Sequence, residues 1–130
     1  METLIPADPV KLVRSWMDDQ FPWPVTVVKN RPNPVVGRTV TVRRNGGLRS
    51  LFIVDQAWLL VECFAADDEQ TAELAAYVWG LLFAMENEII EGVQCYRVQA
   101  LGAPNDLPDT DAQLSRFVMS VQATFRTVPV

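Results

Sequence analysis

The sequence predicts a single α+β domain in two layers, with two helices packed on one face of a mostly antiparallel or mixed sheet. Its 130 residues fit one domain, and the 49% that are hydrophobic can form a core without disulfides or metal. Helical and strand periodicities follow one another in the order α-β-β-β-α-β-β. Residues 115–127 alternate between apolar and polar, as a half-buried antiparallel strand does. Packing both helices on one sheet face suits this order.

The first helix begins after Asp8, which can cap it, and Pro9 suits the first helical position. Apolar residues then recur at helical spacing, at Val10, Leu12, Val13, Trp16 and Met17. Pro22 follows closely, so the helix is predicted to end by about Gln20. The short β-branched stretch 25–29 is predicted to be the first strand.

A β-hairpin is predicted from the alternation in residues 38–44. Asn45-Gly46 is the strongest short-range turn signal in the chain, because both positions tolerate positive φ. Gly47 is expected to widen or bulge that turn. The sequence therefore places the hairpin tip at residues 45–47.

The return strand is predicted to start at Leu51 and to kink at Asp55-Gln56. It continues through residues 57–66, which carry apolar side chains on both faces. This pattern predicts either a central strand or a strand whose second face meets another protein.

The second helix opens with the acids 67–69 at its positive end and is predicted to run to about Glu86. Tyr77, Trp79 and Phe83 leave it without a broad polar face. A helix that is apolar nearly all round is usually buried on more than one side. We predict that these three side chains meet a neighbouring subunit. The alternative is that they pack under local loops.

Two further strands are predicted at residues 93–101 and 115–127, joined by a long polar connection. Asp106 and Asp109 lie in that connection, and we choose them as candidate contact residues. With Asp111 they resemble a metal site only loosely, because the spacing of a calcium loop is absent. A solvated loop is the prediction.

Composition excludes several kinds of chemistry. The chain has no histidine, which excludes His-based triads and haem ligation through His. Cys63 and Cys95 are too few for a zinc site and are predicted to be inert core thiols. Glu62 is an acid on an apolar strand, for which an ion pair or an edge position is predicted rather than catalysis. No catalytic residue, metal or cofactor is expected, so the protein is predicted not to be an enzyme.

Basic side chains border the predicted hairpin tip. Arg43, Arg44 and Arg49 flank the segment Asn45, Gly46 and Gly47, and Arg38 lies at its base. We predict that this basic hairpin contacts an acidic protein surface. Simple solvation of an edge and contact with nucleic acid are the alternatives. A net charge of −5 disfavours nucleic acid as the main partner.

Four groups of residues, taken in order, resemble the tail terminator (tail completion) proteins of long-tailed bacteriophages, especially those with actinobacterial hosts. The resemblance covers nearly the whole chain. It rests on residues 13–18 with Phe21-Pro22, residues 42–47, residues 61–65, and residues 102–109 before Arg116-Phe117. It is the order and spacing of these pieces that carry the resemblance.

The resemblance implies a structural virion protein that forms a hexameric ring in the neck region of the tail. Such a ring caps the head-proximal end of the tail tube and stops its polymerisation. Its implied partners are further copies of itself, the major tail tube protein and the head–tail stopper or connector protein. DNA passes through the lumen without specific binding. Assembly in the host cytoplasm, without a signal peptide or membrane span, is expected.

Other functions remain open at the level of sequence. Head–tail stopper and adaptor proteins are also small α+β or helical proteins of similar composition. A monomeric α+β ligand-binding module is a further alternative. A small enzyme would have Glu62 as its acid.

Overall fold

The α+β class and the two-layer architecture are confirmed by a computed structural model of the chain, which describes residues 2–49 and 52–130. Two helices and eight strands are present in the described residues. The helices are α1 (Pro9–Met17) and α2 (Asp68–Ala84). The strands are β1 (Leu4–Ile5), β2 (Thr26–Val28), β3 (Thr39–Leu48), β4 (Val54–Ala65), β5 (Ile89–Ile90), β6 (Val93–Asp106), β7 (Ser115–Arg126) and β8 (Val128–Pro129).

The main sheet has six strands in the order β2-β3-β4-β7-β6-β5. Only the β2–β3 pair is parallel, and the other neighbours are antiparallel. Strand β4 is central, since all of it pairs with β7 and most of it pairs with β3. The short strands β1 and β8 form a separate two-stranded sheet. The three two-residue strands β1, β5 and β8 were not predicted, because they are too short to show a periodicity.

Both helices begin at the aspartates that their sequences indicate. The Asp8 side chain accepts hydrogen bonds from the backbone N–H groups of Val10 (3.1 Å) and Lys11 (3.3 Å). Asp67 does the same for the N–H of Gln70 at 2.8 Å. Each carboxylate satisfies donors that the first helical turn leaves free.

The end of α1 lies within the predicted limit of about Gln20. The helix stops at Met17, three residues before Gln20, because Asp18 has extended ψ and Asp19 adopts a left-handed φ of 59°. Asp and Asn visit this region more readily than most residues. The Gln20 N–H still bonds the Met17 carbonyl, at 3.1 Å, and closes the turn. The end of α2 at Ala84 lies two residues before the predicted Glu86.

The core lies between the helices and one face of the sheet. Both helices contribute buried residues to it, and the strands contribute every second residue. The alternation in β7 is as predicted: Met119, Val121, Ala123 and Phe125 are buried beneath the helices. The other face of β4, β7 and β6 has no helix over it in the described residues, and its side chains are mostly half-buried, although Phe64 is buried. We call this second surface the helix-free face.

The prediction of a turn at Asn45-Gly46 is wrong. Residues 45–47 lie inside β3, with Gly46 opposite Trp58 and Gly47 opposite Ala57, and the register shifts between Arg44 and Gly46. The shift is a β-bulge, in which one extra residue disrupts the ladder locally. The strands are instead connected by residues 49–53. The predicted start of the return strand at Leu51 lies outside the described residues.

Both glycines in the bulge have a structural reason. Gly46 and Gly47 have φ of 140° and 143°, which non-glycine residues rarely adopt. A Cβ on Gly46 would meet the Trp58 ring at 3.0 Å, and one on Gly47 would come within 2.2 Å of the Gln56 carbonyl oxygen. The pair therefore permits a close approach between β3 and β4.

Two further segments differ from the predictions. Asp55-Gln56 does not kink the chain, since β4 pairs without a register shift from Val54 to Ala65. The connection predicted at residues 102–111 is shorter, because β6 continues to Asp106 through irregular pairing with β7. The bulges there obscure the period of two that a regular strand would show.

A Gly47→Ala substitution is expected to lower the free energy of unfolding by about 2 kcal/mol or more, because it combines a strained φ with a backbone clash. Chemical denaturation measures this. The matched control is Gly80→Ala in α2, where no atom lies within 4 Å of the added methyl group. That variant is expected to be more stable than the wild type by roughly 0.5–1 kcal/mol. Equal effects at the two positions would contradict the assignment of residues 45–47.

Candidate functional site

Arg44 is exposed, but its guanidinium is bound by its own chain rather than presented free at a hairpin tip. Its guanidinium makes two hydrogen bonds to the Asp55 carboxylate, at 2.7 and 2.8 Å, and its Nε donates to the Gly46 carbonyl at 2.9 Å. Asp55 is only 2% exposed. The bidentate pair neutralises a buried carboxylate and ties β3 to β4 at the bulge. The structural role of Arg44 is therefore clear, whatever else it contacts.

Two other arginines near the hairpin are also engaged. Arg49 donates to the Phe52 carbonyl at 2.8 Å and lies over the Phe52 ring. Arg38 stacks on Trp23, with 4.5 Å from its guanidinium carbon to the ring centroid, and reaches Glu73 at 3.4 Å. Within the part of the chain that the structure describes, the exposed Arg43 makes no hydrogen bond or ion pair.

Tyr77 packs partly against its own chain. Its ring lies 5.6 Å from that of Phe21 and 5.5 Å from that of Trp23, centroid to centroid. These rings belong to the segment that follows α1, so Tyr77 has the local cover that the alternative described. It is nevertheless 39% exposed.

Trp79 and Phe83 lie on the flank of α2 that points away from α1. Their rings meet edge to face at 4.8 Å, and both are half-buried. The opposite flank is tied to α1 by the Trp16 indole N–H, which donates to the Leu81 carbonyl at 2.8 Å. At 100° per residue, Trp79 and Phe83 each lie about 200° around the helix from Leu81, so the two flanks are on opposite sides of α2. Apolar surface of α2 is therefore partly accessible on both flanks, at Trp79 and Phe83 on the far flank and at Tyr77 on the flank near α1.

Asp106 and Asp109 do not form a common site. Asp106 ends β6 opposite Phe117 and is exposed, whereas Asp109 pairs with Arg31 at 2.6 Å. The backbone N–H of Ala112 and the Arg31 guanidinium stabilise the charged Asp109 carboxylate and lower its pKa. Asp109 therefore organises its own loop. Three or more acidic or cysteine side chains do not come together as a metal site anywhere in residues 2–49 and 52–130.

The helix-free face carries a polar network that sequence reasoning only partly anticipated. Glu62 accepts hydrogen bonds from Thr41 (3.0 Å) and Arg116 (3.1 Å), so the ion pair predicted for Glu62 is confirmed. A second row begins at the Trp58 indole, which donates to Gln122 at 2.8 Å. Gln122 in turn donates to Gln99 at 3.0 Å.

These contacts join four strands, so no local motif signals them. The only visible hint is the polar side of the alternation in residues 115–127. Cross-strand hydrogen bonds of this kind hold side chains in one orientation. The helix-free face is therefore an ordered surface with its side chains already positioned.

A cleft opens beside the end of α1. Its volume is about 380 Å³, and it is bordered by Asp18 and Asp19, by the segment 21–27 and by residues 36–38. Trp23 and Phe21 contribute apolar walls. A cleft of this size is at the small end of ligand sites, which run to about 1,000 Å³. It is the feature that favours a small-molecule-binding module.

The two cysteines are buried beneath the helices, as their prediction as core thiols requires. Burial raises the pKa of Cys63 far above its usual range, and the neighbouring Glu62 charge adds to this. Burial likewise raises the pKa of Cys95, to about 11, while the backbone of Arg97 lowers it and the Glu86 charge raises it further. Thiolate, the reactive form, is therefore scarce at neutral pH.

Arg44→Gln is expected to lower the free energy of unfolding by about 3 kcal/mol, because it leaves the buried Asp55 charge without its partner. Denaturant titration followed by tryptophan fluorescence measures the loss. Arg43→Gln is the matched control on the same strand and is expected to change stability by less than about 0.5 kcal/mol. A stable Arg44→Gln protein would show that the pair is dispensable.

Neither cysteine is expected to react with a thiol reagent such as DTNB in the native protein at pH 8, since both are buried and largely protonated. In denaturant both thiols per chain should react. Rapid labelling of the native protein would mean that the core opens locally or that one thiol is accessible.

Comparison with known proteins does not identify the chain. No protein-family model and no curated protein sequence matches it. Across the described residues, no helix is long and apolar enough to cross a membrane. Its function therefore has to be argued from its surfaces: the far flank of α2, the helix-free face and the cleft beside α1.

Proposed function

We propose that the protein is a tail terminator, a structural subunit whose ring caps the head-proximal end of a phage tail tube. The observation that carries the proposal is α2, which is apolar nearly all round yet covered by its own chain on only part of its surface. Trp79, Phe83 and Tyr77 keep accessible aromatic surface along it. Apolar surface of this kind marks protein contacts.

A closed ring needs two different contact patches on each subunit, because each copy uses one patch toward the copy before it and the other toward the copy after it. The far flank of α2 and the helix-free face lie on opposite sides of the two-layer domain. These two surfaces are our candidates for the two contact patches that a ring needs. The sequence resemblance to tail terminators adds the biological setting: a hexamer between the tail tube and the head–tail connector, in the neck of the virion.

The charge of the subunit suits this setting. A net charge of −5 per chain gives an assembled ring a strongly negative total. DNA carries one phosphate charge per about 1.7 Å of helix axis, so a neutral or acidic lumen does not hold it. The ring would let DNA pass without specific binding. No reaction and no cofactor are part of this proposal.

The competing function is a monomeric ligand-binding module, favoured by the cleft beside α1. It predicts that the native state is a monomer whatever the concentration. The neck proteins, a head–tail stopper or adaptor, are the other competitor. The phenotype of a gene deletion, rather than oligomeric state, separates them from a terminator.

Light scattering coupled to size-exclusion chromatography tests the assembly. We expect a species of about six subunits, either from the protein alone or after the major tail tube protein is added. The isolated tail tube protein is the control. A monomer that ignores tail tubes would contradict the proposed function and favour the ligand-binding module.

Deletion of the gene in its phage separates the two neck functions. A terminator is required to stop tail growth, so its loss should give overlong tails that do not join heads. Tails of normal length beside unjoined filled heads would instead identify a stopper or adaptor. Electron microscopy of lysates distinguishes the two, with the complemented deletion as the control.

A further inference from the structure

Charge is separated between the two layers of the subunit. Residues 1–28 and 66–92, which include both helices, contain eleven acidic residues against two basic ones. Residues 29–65 and 93–130, which form most of the sheet, contain nine basic residues against five acidic ones. The subunit therefore has an acidic helical part and a basic sheet part, although its net charge is only −5. Such polarity steers association and disfavours contacts between like faces.

The helix-free face is the basic side of this division. Arg116 and Arg126 point to it, because they alternate with the core residues of β7. Arg43 and Arg97 join them through their register partners Leu60 and Thr124. Glu62 is the one acid on β3, β4, β6 and β7 that the described residues place on this face, and it already bonds Arg116.

The centre of the helix-free face is not charged. Trp58, Leu60 and Val118 lie there half-buried, and the Trp58 indole N–H is already satisfied by Gln122. An apolar centre within a charged rim is the usual anatomy of a protein interface. The face is therefore suited to a protein surface with an acidic border.

The side of α2 that faces solvent, which carries Glu69, Glu73 and Gly80, has that complementary character. We call it the outer side of α2. Glu69 and Glu73 border its first half, and Glu86 and Glu88 follow its last turn, all of them exposed. Trp79 and Phe83 supply apolar surface between these acids. If a second copy docked here, the arginines of its helix-free face would meet these carboxylates around the apolar surface of Trp79 and Phe83.

Gly80 supports a close contact on the same side of α2. It lies in the middle of the helix, is exposed, and has no atom within 4 Å of the position of a Cβ. Glycine weakens a helix relative to alanine, and no contact within the described residues requires it there. Ala76 and Ala84 are also exposed, one turn to either side. A partner that approaches the helix closely would account for three small residues in a row.

We propose that the helix-free face of one subunit docks on the outer side of α2 of a second copy of this chain. The occupant is argued from charge complementarity between two surfaces that the chain itself carries. Each subunit uses a different face toward each neighbour, so the contact is head-to-tail and closes into a ring where the rotation allows. This inference rests on the proposed ring and adds that the two contact surfaces bind each other through complementary charge.

Charge reversal on each face tests the contact. The sheet variant is Arg97→Glu with Arg126→Glu, and the helix variant is Glu69→Lys with Glu88→Lys; all four side chains are exposed. Each variant alone is expected to need at least about tenfold more protein for assembly, because like charges then face each other. Lys11→Glu and Asp111→Lys are the control reversals, exposed and outside both faces. They should assemble as the wild type does.

Mixing the two variants in equal amounts is the decisive measurement. The reversed sheet face of one variant is acidic and the reversed helix face of the other is basic, so both kinds of contact become complementary again. Assembly is expected to return in the mixture, as judged by light scattering, and to weaken with added salt. Gly80→Gln is expected to assemble poorly while keeping its helix content by circular dichroism.

Four results would overturn the inference. Variants that assemble like the wild type would leave the ring in place and show that other faces form it. A mixture that stays unassembled would show that the two faces do not meet. A sheet variant that assembles normally but loses binding to duplex DNA would make the helix-free face a nucleic-acid surface. A wild-type protein that never assembles, even with tail tube protein, would overturn the proposed function as well.

Discussion

The pairing of β4 with β3 and β7 is the constraint on which the rest of the structure depends. All of β4 from Val54 to Ala65 pairs with β7, and β3 flanks it on the other side. Leu59, Val61 and Cys63 on one face of β4 complete the core beneath the helices. The other face of β4 carries Trp58 and Glu62 into the polar network. Register is strongly specified here, because a slip by one residue would exchange the two faces.

The same pairing explains the bulge and the ion pair beside it. The β3–β4 pairing that aligns Val40 with Cys63 and Val42 with Val61 resumes after the register shift that follows Arg44, so residues 45–47 lie within the strand. Gly46 then fits under the Trp58 ring, and Arg44 reaches the buried Asp55. The Arg44–Asp55 pair and the packing of Gly46 against Trp58 therefore form where the local sequence favours a turn. The free energy gained by pairing buried apolar residues of β3 and β4 outweighs the preference of Asn-Gly for a turn, because that preference involves only a few local dihedral angles.

The two proposals draw on the same architecture. Because the helices cover only one side of the sheet, the subunit has an ordered face without a partner, and α2 has an outer side that its own chain leaves partly open. Acidic residues gather in the helical layer and basic ones in the sheet. A polarised two-layer subunit favours head-to-tail association over like-on-like pairing. The proposed role in tail termination would require such an association, and the proposed transit of DNA would be compatible with the negative total charge.

Local signals were enough to predict the helix starts at Asp8 and Asp67, the alternation of β7 and the unusual apolar character of α2. Caps and periodicities depend on residues a few positions apart, so the sequence alone determines them. The candidate residue Tyr77 was recognisable in this way, but its cover by Phe21 and Trp23 was not. The partners of Arg44, Glu62 and Asp109, the register at residues 45–47 and the identity of the open face were decided only by tertiary structure. Glu62 and Arg116, for example, are 54 residues apart, and only the sheet brings them together.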